Sequence, residues 1–205
     1  MDMSSADAVN HHAGHPGFAG VIGLLAGLTM IAAGGAVARL AADLASVSDT
    51  EQVVDVGCGP GTAVREAARR GPRVTGVDPA PVMLRLARTL TRDRPAITWV
   101  EGAAEDLPLP DGSATVVWSL ATVHHWRDVT AGLAEVKRVL APGGRLLAIE
   151  RRVRPGATGL ASHGWTDHQA ESFAAQCRAA GFKSVRVEKH TPGRRAVSVV
   201  KAVRL

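Results

Sequence analysis

Apolar and polar positions change rhythm near residue 51. Ahead of it, Val37, Leu40, Leu44 and Val47 recur at helical spacing with Arg39, Asp43 and Ser46 on another face, the mark of an amphipathic surface helix. Two helices are predicted there, over 17–32 and 36–47, divided at Gly34-Gly35. Beyond residue 51, short β-branched runs at 53–56, 74–77, 97–100, 115–118, 146–149, 184–187 and 196–200 are interleaved with helical patterns at 62–70, 81–90, 129–140 and 167–180. Gly71-Pro72, Pro142-Gly143-Gly144 and Gly181 stand where helices should stop. Such alternation predicts an α/β fold, a mainly parallel sheet with helices on both faces. Only a turn around Thr191-Pro192-Gly193 separates the last two runs, so they read as a hairpin that adds an antiparallel strand.

Composition narrows the setting. The 205 residues fit one domain, and a hydrophobic fraction of 46% excludes a largely disordered chain. Aromatic residues make up 3% with no Tyr, which leaves few stacking platforms for nucleic acid. Cys58 and Cys177 form no C-x-x-C pair, so neither a disulfide framework nor a cysteine zinc site is expected, and the cytoplasm is the natural location. Residues 1–50 carry a net charge of −3, residues 51–150 balance, and residues 151–205 carry +8. That basic block reads as a solvated face or as an attractor of an anionic partner. Between His15 and Arg39 run 23 uncharged residues, long enough for a membrane span and holding a Gly23-x-x-x-Gly27 pair. Six glycines in the run, the lone flanking Arg39 and the amphipathic continuation disfavour that reading.

The chemistry-bearing residues cluster at strand ends. Val53-Val54-Asp55-Val56-Gly57-Cys58-Gly59-Pro60-Gly61-Thr62 closes the first strand with a glycine turn and opens a helix, where backbone N–H groups and the helix dipole await a ligand. A dinucleotide fingerprint would place its third small residue at position 62, which is Thr, and no Gly-Lys-Ser/Thr follows for a Walker loop. Asp55 would repel a pyrophosphate and would welcome an ammonium group, so an amino-acid moiety suits this loop better than a phosphate. Asp78 ends the second strand, 17 residues after Gly61, placed to take the hydroxyls of a ribose or to cap the helix that begins near Pro81.

Asp-x-Gly-x-Gly-x-Gly followed by a strand-end acid resembles motifs I and II of the class I S-adenosylmethionine-dependent methyltransferases. Residues 101–113 (Glu-Gly-Ala-Ala-Glu-Asp-Leu-Pro onward), 119–126 and 135–144 are similar, in the same order, to segments of the branch that includes the ubiquinone/menaquinone-biosynthesis methyltransferases. The resemblance runs from about residue 50 to the C-terminus. It implies a Rossmann-like, seven-stranded sheet of order 3-2-1-4-5-7-6 with strand seven antiparallel, S-adenosyl-L-methionine as cofactor, and methyl transfer to a small-molecule acceptor. Asp55, Gly57, Gly59 and Gly61 would then surround the methionine part, Asp78 the ribose, Ala103 and Ala104 the adenine, with Ser119 on the loop after strand four. Ala103 departs from the branch, which carries Asp or Asn there, and Ala114-Thr115 replaces a common Phe-Asp.

His124 and His125 follow strand four at the cofactor edge and are the expected catalytic pair, by proton removal from an alcohol or phenol; otherwise one caps a helix and the other packs on Trp126. The stretch Ala161-Ser162-His163-Gly164-Trp165-Thr166 either lines the substrate pocket or is a surface loop with a Thr166 cap. No metal is expected: His11, His12 and His15 have no Cys or carboxylate nearby. Residues 1–50 are expected to form a lid over the 51–205 core, with Leu24, Leu25 and Leu28 on the cleft. Arsenite methylation is disfavoured by the two-cysteine count, and nucleic acid by the lack of an Asn/Asp-Pro-Pro-Tyr/Phe motif. A homodimer is compatible with the sequence, and the competing class is a cofactor-binding module without catalysis.

Overall fold

A computed structural model describes residues 8–13, 34–91 and 96–205. In chain order the elements are α1 (Gly35–Leu44), β1 (Gln52–Val56), α2 (Thr62–Ala68), β2 (Arg73–Asp78), α3 (Pro81–Thr89), β3 (Ile97–Glu101), β4 (Ala114–Leu120), α4 (Val129–Val139), β5 (Leu140–Arg151), α5 (Asp167–Ala179), β6 (Lys183–His190) and β7 (Val197–Val203). The seven strands form one sheet in the order β3-β2-β1-β4-β5-β7-β6. β7 runs antiparallel to both neighbours, and the other pairings are parallel.

The strand sequences explain this order. β1 and β4 are Val-rich and buried on both faces, as the centre of a parallel sheet requires. Val54, Val56, Val117 and Leu146 point to one side, where α4 supplies Leu133, Val136 and Val139 and α5 supplies Phe173, Ala174 and Cys177. Val53, Val116, Trp118 and Ile149 point to the other, against Ala38, Ala41 and Ala42 of α1, Val64 of α2 and Leu84 of α3. Caps fix the helix starts. Asp128 accepts the N–H groups of Thr130 and Ala131 at 2.8 and 3.1 Å, and Thr166 and Gln169 form a reciprocal capping box.

Several boundaries differ from the sequence reading, two of them for a visible reason. α1 stops at Leu44, because Ser46 turns into the left-handed region at φ +49 while Val47 still buries itself beyond it. At Pro142-Gly143-Gly144 there is no plain helix stop. β5 already starts at Leu140, pairs with Ala114, and bulges before Arg145 meets Val116. The bulge is tied to the chain end, with Gly143 N–H donating to Arg204 O at 2.7 Å and Arg204 N–H to Gly144 O at 2.9 Å. The helix expected over 17–32, with Leu24, Leu25, Leu28, and also His15, lies outside the described residues. No helix among the described residues is long and apolar enough to cross a membrane.

Candidate functional site

The carboxyl ends of β1, β2 and β4 open into a cleft of about 260 Å³. Its walls include Asp55, Gly57, Gly59, Asp78, Thr122 and His125. Ligands of open α/β sheets bind at this edge, where strand order reverses. A second hollow, of about 530 Å³, lies over residues 152–156 and 166–168. It is away from the glycine loop, and its Arg152 is already paired with Asp167 at 3.0 Å.

The loop after β1 turns on Gly57, Gly59 and Gly61, at φ +76, +52 and +77. Gly57 has a second reason to be glycine: a Cβ there would sit 2.6 Å from Thr122 Oγ1. Thr122 is itself fixed, donating to Val56 O at 3.0 Å and sharing a short hydrogen bond with Ser119 Oγ. Gly61 begins α2, and a Cβ on it would lie 2.1 Å from Trp99 Cη2. The loop is pinned to β2, since Val77 O accepts from Gly57 N–H at 2.8 Å and from Cys58 N–H at 3.0 Å.

Asp78 does two things at once. Oδ2 accepts from Gly59 N–H and Oδ1 from Ala80 N–H, each at 2.8 Å. Its carboxyl is raised by burial, against which those two N–H groups act. Asp55 is more enclosed, and burial pushes it up to about 7; the Trp118 indole opposes this and the charge of Asp78 adds to it. A cation seated beside Asp55 would restore its ionised form.

Of the residues predicted from sequence, Asp55, Gly57, Gly59, Asp78 and His125 share the cleft wall. Gly61 stands behind it as the α2 cap, and Ser119 holds Thr122. Ala103 and Ala104 follow β3 beside the β2 end, where Gly102 N–H donates to Asp78 O at 3.3 Å. Glu105 is engaged elsewhere, accepting from Arg127 and Asp128 N–H groups at 2.6 and 3.2 Å. Sequence reasoning missed Gly34 at the N-cap of α1, Val37 and Ala38 within it, and Met83, Arg151 and Arg195 on the wall. It also missed Ala121, a non-glycine residue at φ +58 where β4 ends.

Behind His125 the fold gathers other histidines. His124 is buried, and its Nδ1 lies 2.8 Å from Glu150 Oε2, itself fully buried. His163 reaches the same place on the loop after β5, and residues 8–13 bring His11 and His12. Ring centroids are 4.1 Å apart for His124–His125, 4.2 Å for His12–His163 and 5.5 Å for His125–His163. The short N-terminal segment is locked there: Trp165 Nε1 donates to Val9 O, His12 N–H to His124 O and Asn10 Nδ2 to Trp126 O, all at 3.0 Å. Burial, with neighbouring histidines, lowers His125 to about 3. The sequence reading treated the N-terminal histidines as a group without a carboxylate. The folded chain puts two of them against three more, with Glu150 behind.

Comparisons with known proteins agree with this geometry. Residues 54–148 match a family model described as a methyltransferase domain. The chain is 38% identical over 112 residues to a demethylmenaquinone methyltransferase of Tropheryma whipplei, a match that covers 55% of this chain and 46% of the relative. The chain thus spans about half the length of that relative. Among solved structures, an S-adenosylmethionine-dependent methyltransferase from Mesorhizobium loti superposes with a TM-score of 0.67 at 23% identity, over 85% of this chain and 100% of the other. The cyclase SpnF superposes with a TM-score of 0.71 at 19% identity, over 84% and 81%. The two structural likenesses show the fold alone. Left-handed glycines under Thr122, a buried acid suited to an ammonium and a second acid suited to hydroxyls fit S-adenosylmethionine as the group this cleft takes. Over residues 54–148 the chain is similar to class I S-adenosylmethionine-dependent methyltransferases, those of quinone biosynthesis among them.

Proposed function

We propose that this protein transfers a methyl group from S-adenosylmethionine to a small-molecule acceptor. The observation that carries the reading is the meeting of Asp55, Gly57, Gly59, Asp78 and His125 on one cleft wall at the strand ends. When bound, the cofactor supplies an electrophilic methyl group on a sulfonium. Gly57, Gly59 and Gly61 shape the loop for its methionine part, and Asp55 pairs with the ammonium group. Asp78 keeps lone pairs for the ribose hydroxyls while holding Gly59 in place. Ala103 and Ala104 stand on the adenine side, where an alanine offers contact without a hydrogen bond. Ser119 acts through Thr122, which fixes the floor of the cleft.

His125 faces the acceptor and orients its nucleophilic atom, and His124, held by Glu150, fixes the loop behind it. Correct placement of two reactants can account for several kcal/mol of barrier reduction. Gly34 at the N-cap of α1, with Val37 and Ala38 within it, closes the side of the cleft, in keeping with residues 1–50 serving as its cover in a single domain. The likeness to a demethylmenaquinone methyltransferase supports an aromatic or quinol-like acceptor among small molecules.

Incubation with methyl-labelled cofactor and a whole-cell extract, fractionated afterwards into metabolites, nucleic acid and protein, tests the reading. Label is expected in a small organic product. Label confined to nucleic acid or protein would overturn the acceptor class. The second reading is a cofactor-binding module on the same fold, which would need only Asp55, Asp78 and the glycine loop. Cofactor binding with no label transfer to any extract would support it.

A further inference from the structure

Histidines from three distant stretches of chain converge beside the cofactor cleft, and packing alone does not explain how they are held. Among the described residues, His124, His125 and His163 each offer a ring nitrogen, and these nitrogens all lie within 4.8 Å of one another. His124 Nδ1 is taken by Glu150, which leaves Nε2 turned away from the carboxylate, buried and without a hydrogen-bond partner. An orphaned buried nitrogen is costly unless something occupies it. The carboxylate–histidine arrangement is the one that orients and strengthens metal-binding imidazoles.

The other two rings are set by their neighbours. The ring of His125 lies against those of His12 and His163, with centroids 5.8 and 5.5 Å away. The loop of His163 is drawn onto β5 by Arg151, whose Nε donates to His163 O at 2.9 Å and whose Nη2 donates to Leu160 O and Ala161 O at 2.7 and 2.8 Å. Gly164 allows that approach, since a Cβ there would lie 2.1 Å from Arg151 O. Arg151 and His125 both line the cofactor cleft. The loop and the cleft therefore share a wall.

We propose that His124, His125 and His163 bind one divalent transition-metal ion of the zinc type, with its remaining coordination position open to the cleft. Three imidazoles with no thiolate and no carboxylate in direct reach suit zinc, cobalt, nickel or copper and not magnesium or calcium. Zn–N bonds of about 2.0–2.1 Å put tetrahedral nitrogens about 3.3 Å apart, so the rings close inward by small rotations when the ion enters. A three-histidine set with an open position is the arrangement of catalytic and not structural zinc.

The ion's place beside the cleft rests on the methyl-transfer reading and deepens it. An acceptor thiol or hydroxyl that takes the open position loses its proton to water and stays as a metal-held anion. Its lone pair forms the new bond to the methyl carbon. The carbon–sulfur bond of the sulfonium breaks, and its electron pair remains on sulfur. His125 then acts on the acceptor through the ion.

The full chain, stripped with chelator and dialysed, is titrated with zinc sulfate by calorimetry and with cobalt chloride by visible absorption. One equivalent of each is expected, with cobalt giving the intense bands of a low-coordinate nitrogen site. His163→Ala and His125→Ala each weaken binding at least a hundredfold, and Glu150→Gln weakens it by about ten- to a hundredfold. His190→Ala, on β6 beside Glu188, leaves binding unchanged. Thermal melting and cofactor titration of each variant separate loss of ligand from loss of fold. No stoichiometric metal on the folded wild-type chain overturns the site, with no variant needed. Binding that survives both His163→Ala and His125→Ala overturns it too. Cofactor binding without metal sinks this inference and leaves methyl transfer standing; metal binding without cofactor does the reverse.

Discussion

His124 Nδ1 sits 2.8 Å from Glu150 Oε2, and the two side chains keep 3% and 0% of their surface. The pair joins the β4 loop to β5 across the sheet edge, at the back of the cleft. A partner this enclosed has no water to replace it.

Glu150→Leu therefore strands His124 Nδ1 and is expected to cost about 1–3 kcal/mol in urea unfolding. Glu150→Gln keeps an acceptor oxygen at the same reach and should cost less than half as much. Equal losses from both would show that size, and not the hydrogen bond, matters at this position.

Gly61 and Trp99 make a second tight pair, since any side chain at Gly61 enters the indole. Gly61→Ala meets both that overlap and a left-handed backbone, and about 2–4 kcal/mol of destabilisation is expected. Trp99→Leu removes the obstacle at its own packing cost, so the double variant should fall short of additivity by about 1–3 kcal/mol. Strict additivity in thermal unfolding would mean that the glycine is required by backbone conformation alone.

The strands and helices were legible because buried strands are compact apolar runs and helices carry a 3.6-residue stripe, whereas the order of the strands came from the family resemblance. Asp55 and Asp78 were legible for a related reason: an acid at the end of an apolar strand has few structural uses. The Gly61–Trp99 contact was not, because nothing local to either residue announces a neighbour on another strand. The histidine cluster was hidden in the same way. Its members lie on the N-terminal segment, the β4 loop and the β5 loop, and the carboxylate that organises them ends the apolar run of β5. Only the fold of the loop at Gly164 brings His163 back to His125.

Asp55 makes stability depend on pH. Its folded value of about 7 stands above the ordinary 3.8. The unfolded chain gives up this proton first, so the group's stabilising contribution is complete below about 3.8, declines as pH rises and is gone above about 7. Asp55→Asn should be more stable than the parent at pH 8, by as much as about 4 kcal/mol, with the gap closing toward pH 4. Urea midpoints at both values check this, and a gap that widens toward acid would contradict it.

The same proton marks cofactor binding. An ammonium group beside Asp55 favours its ionised form, so binding at pH 6 should release close to one proton. Calorimetry in buffers of different ionisation enthalpy measures the release, and Asp55→Asn should abolish it. Buffer-independent heats from the parent chain would place the ammonium elsewhere.

Asp78 carries the central claim, because its carboxylate both holds the glycine loop and faces the cleft. Titration of S-adenosylmethionine and its demethylated product into the purified chain, with NAD as the comparison, tests that claim most directly. Saturable binding of both at micromolar affinity or tighter is expected, with none for NAD, and Asp78→Ala should weaken it by about 1.5–3 kcal/mol. Saturation by NAD alone, or affinity for S-adenosylmethionine untouched by Asp78→Ala in a folded variant, would contradict the account.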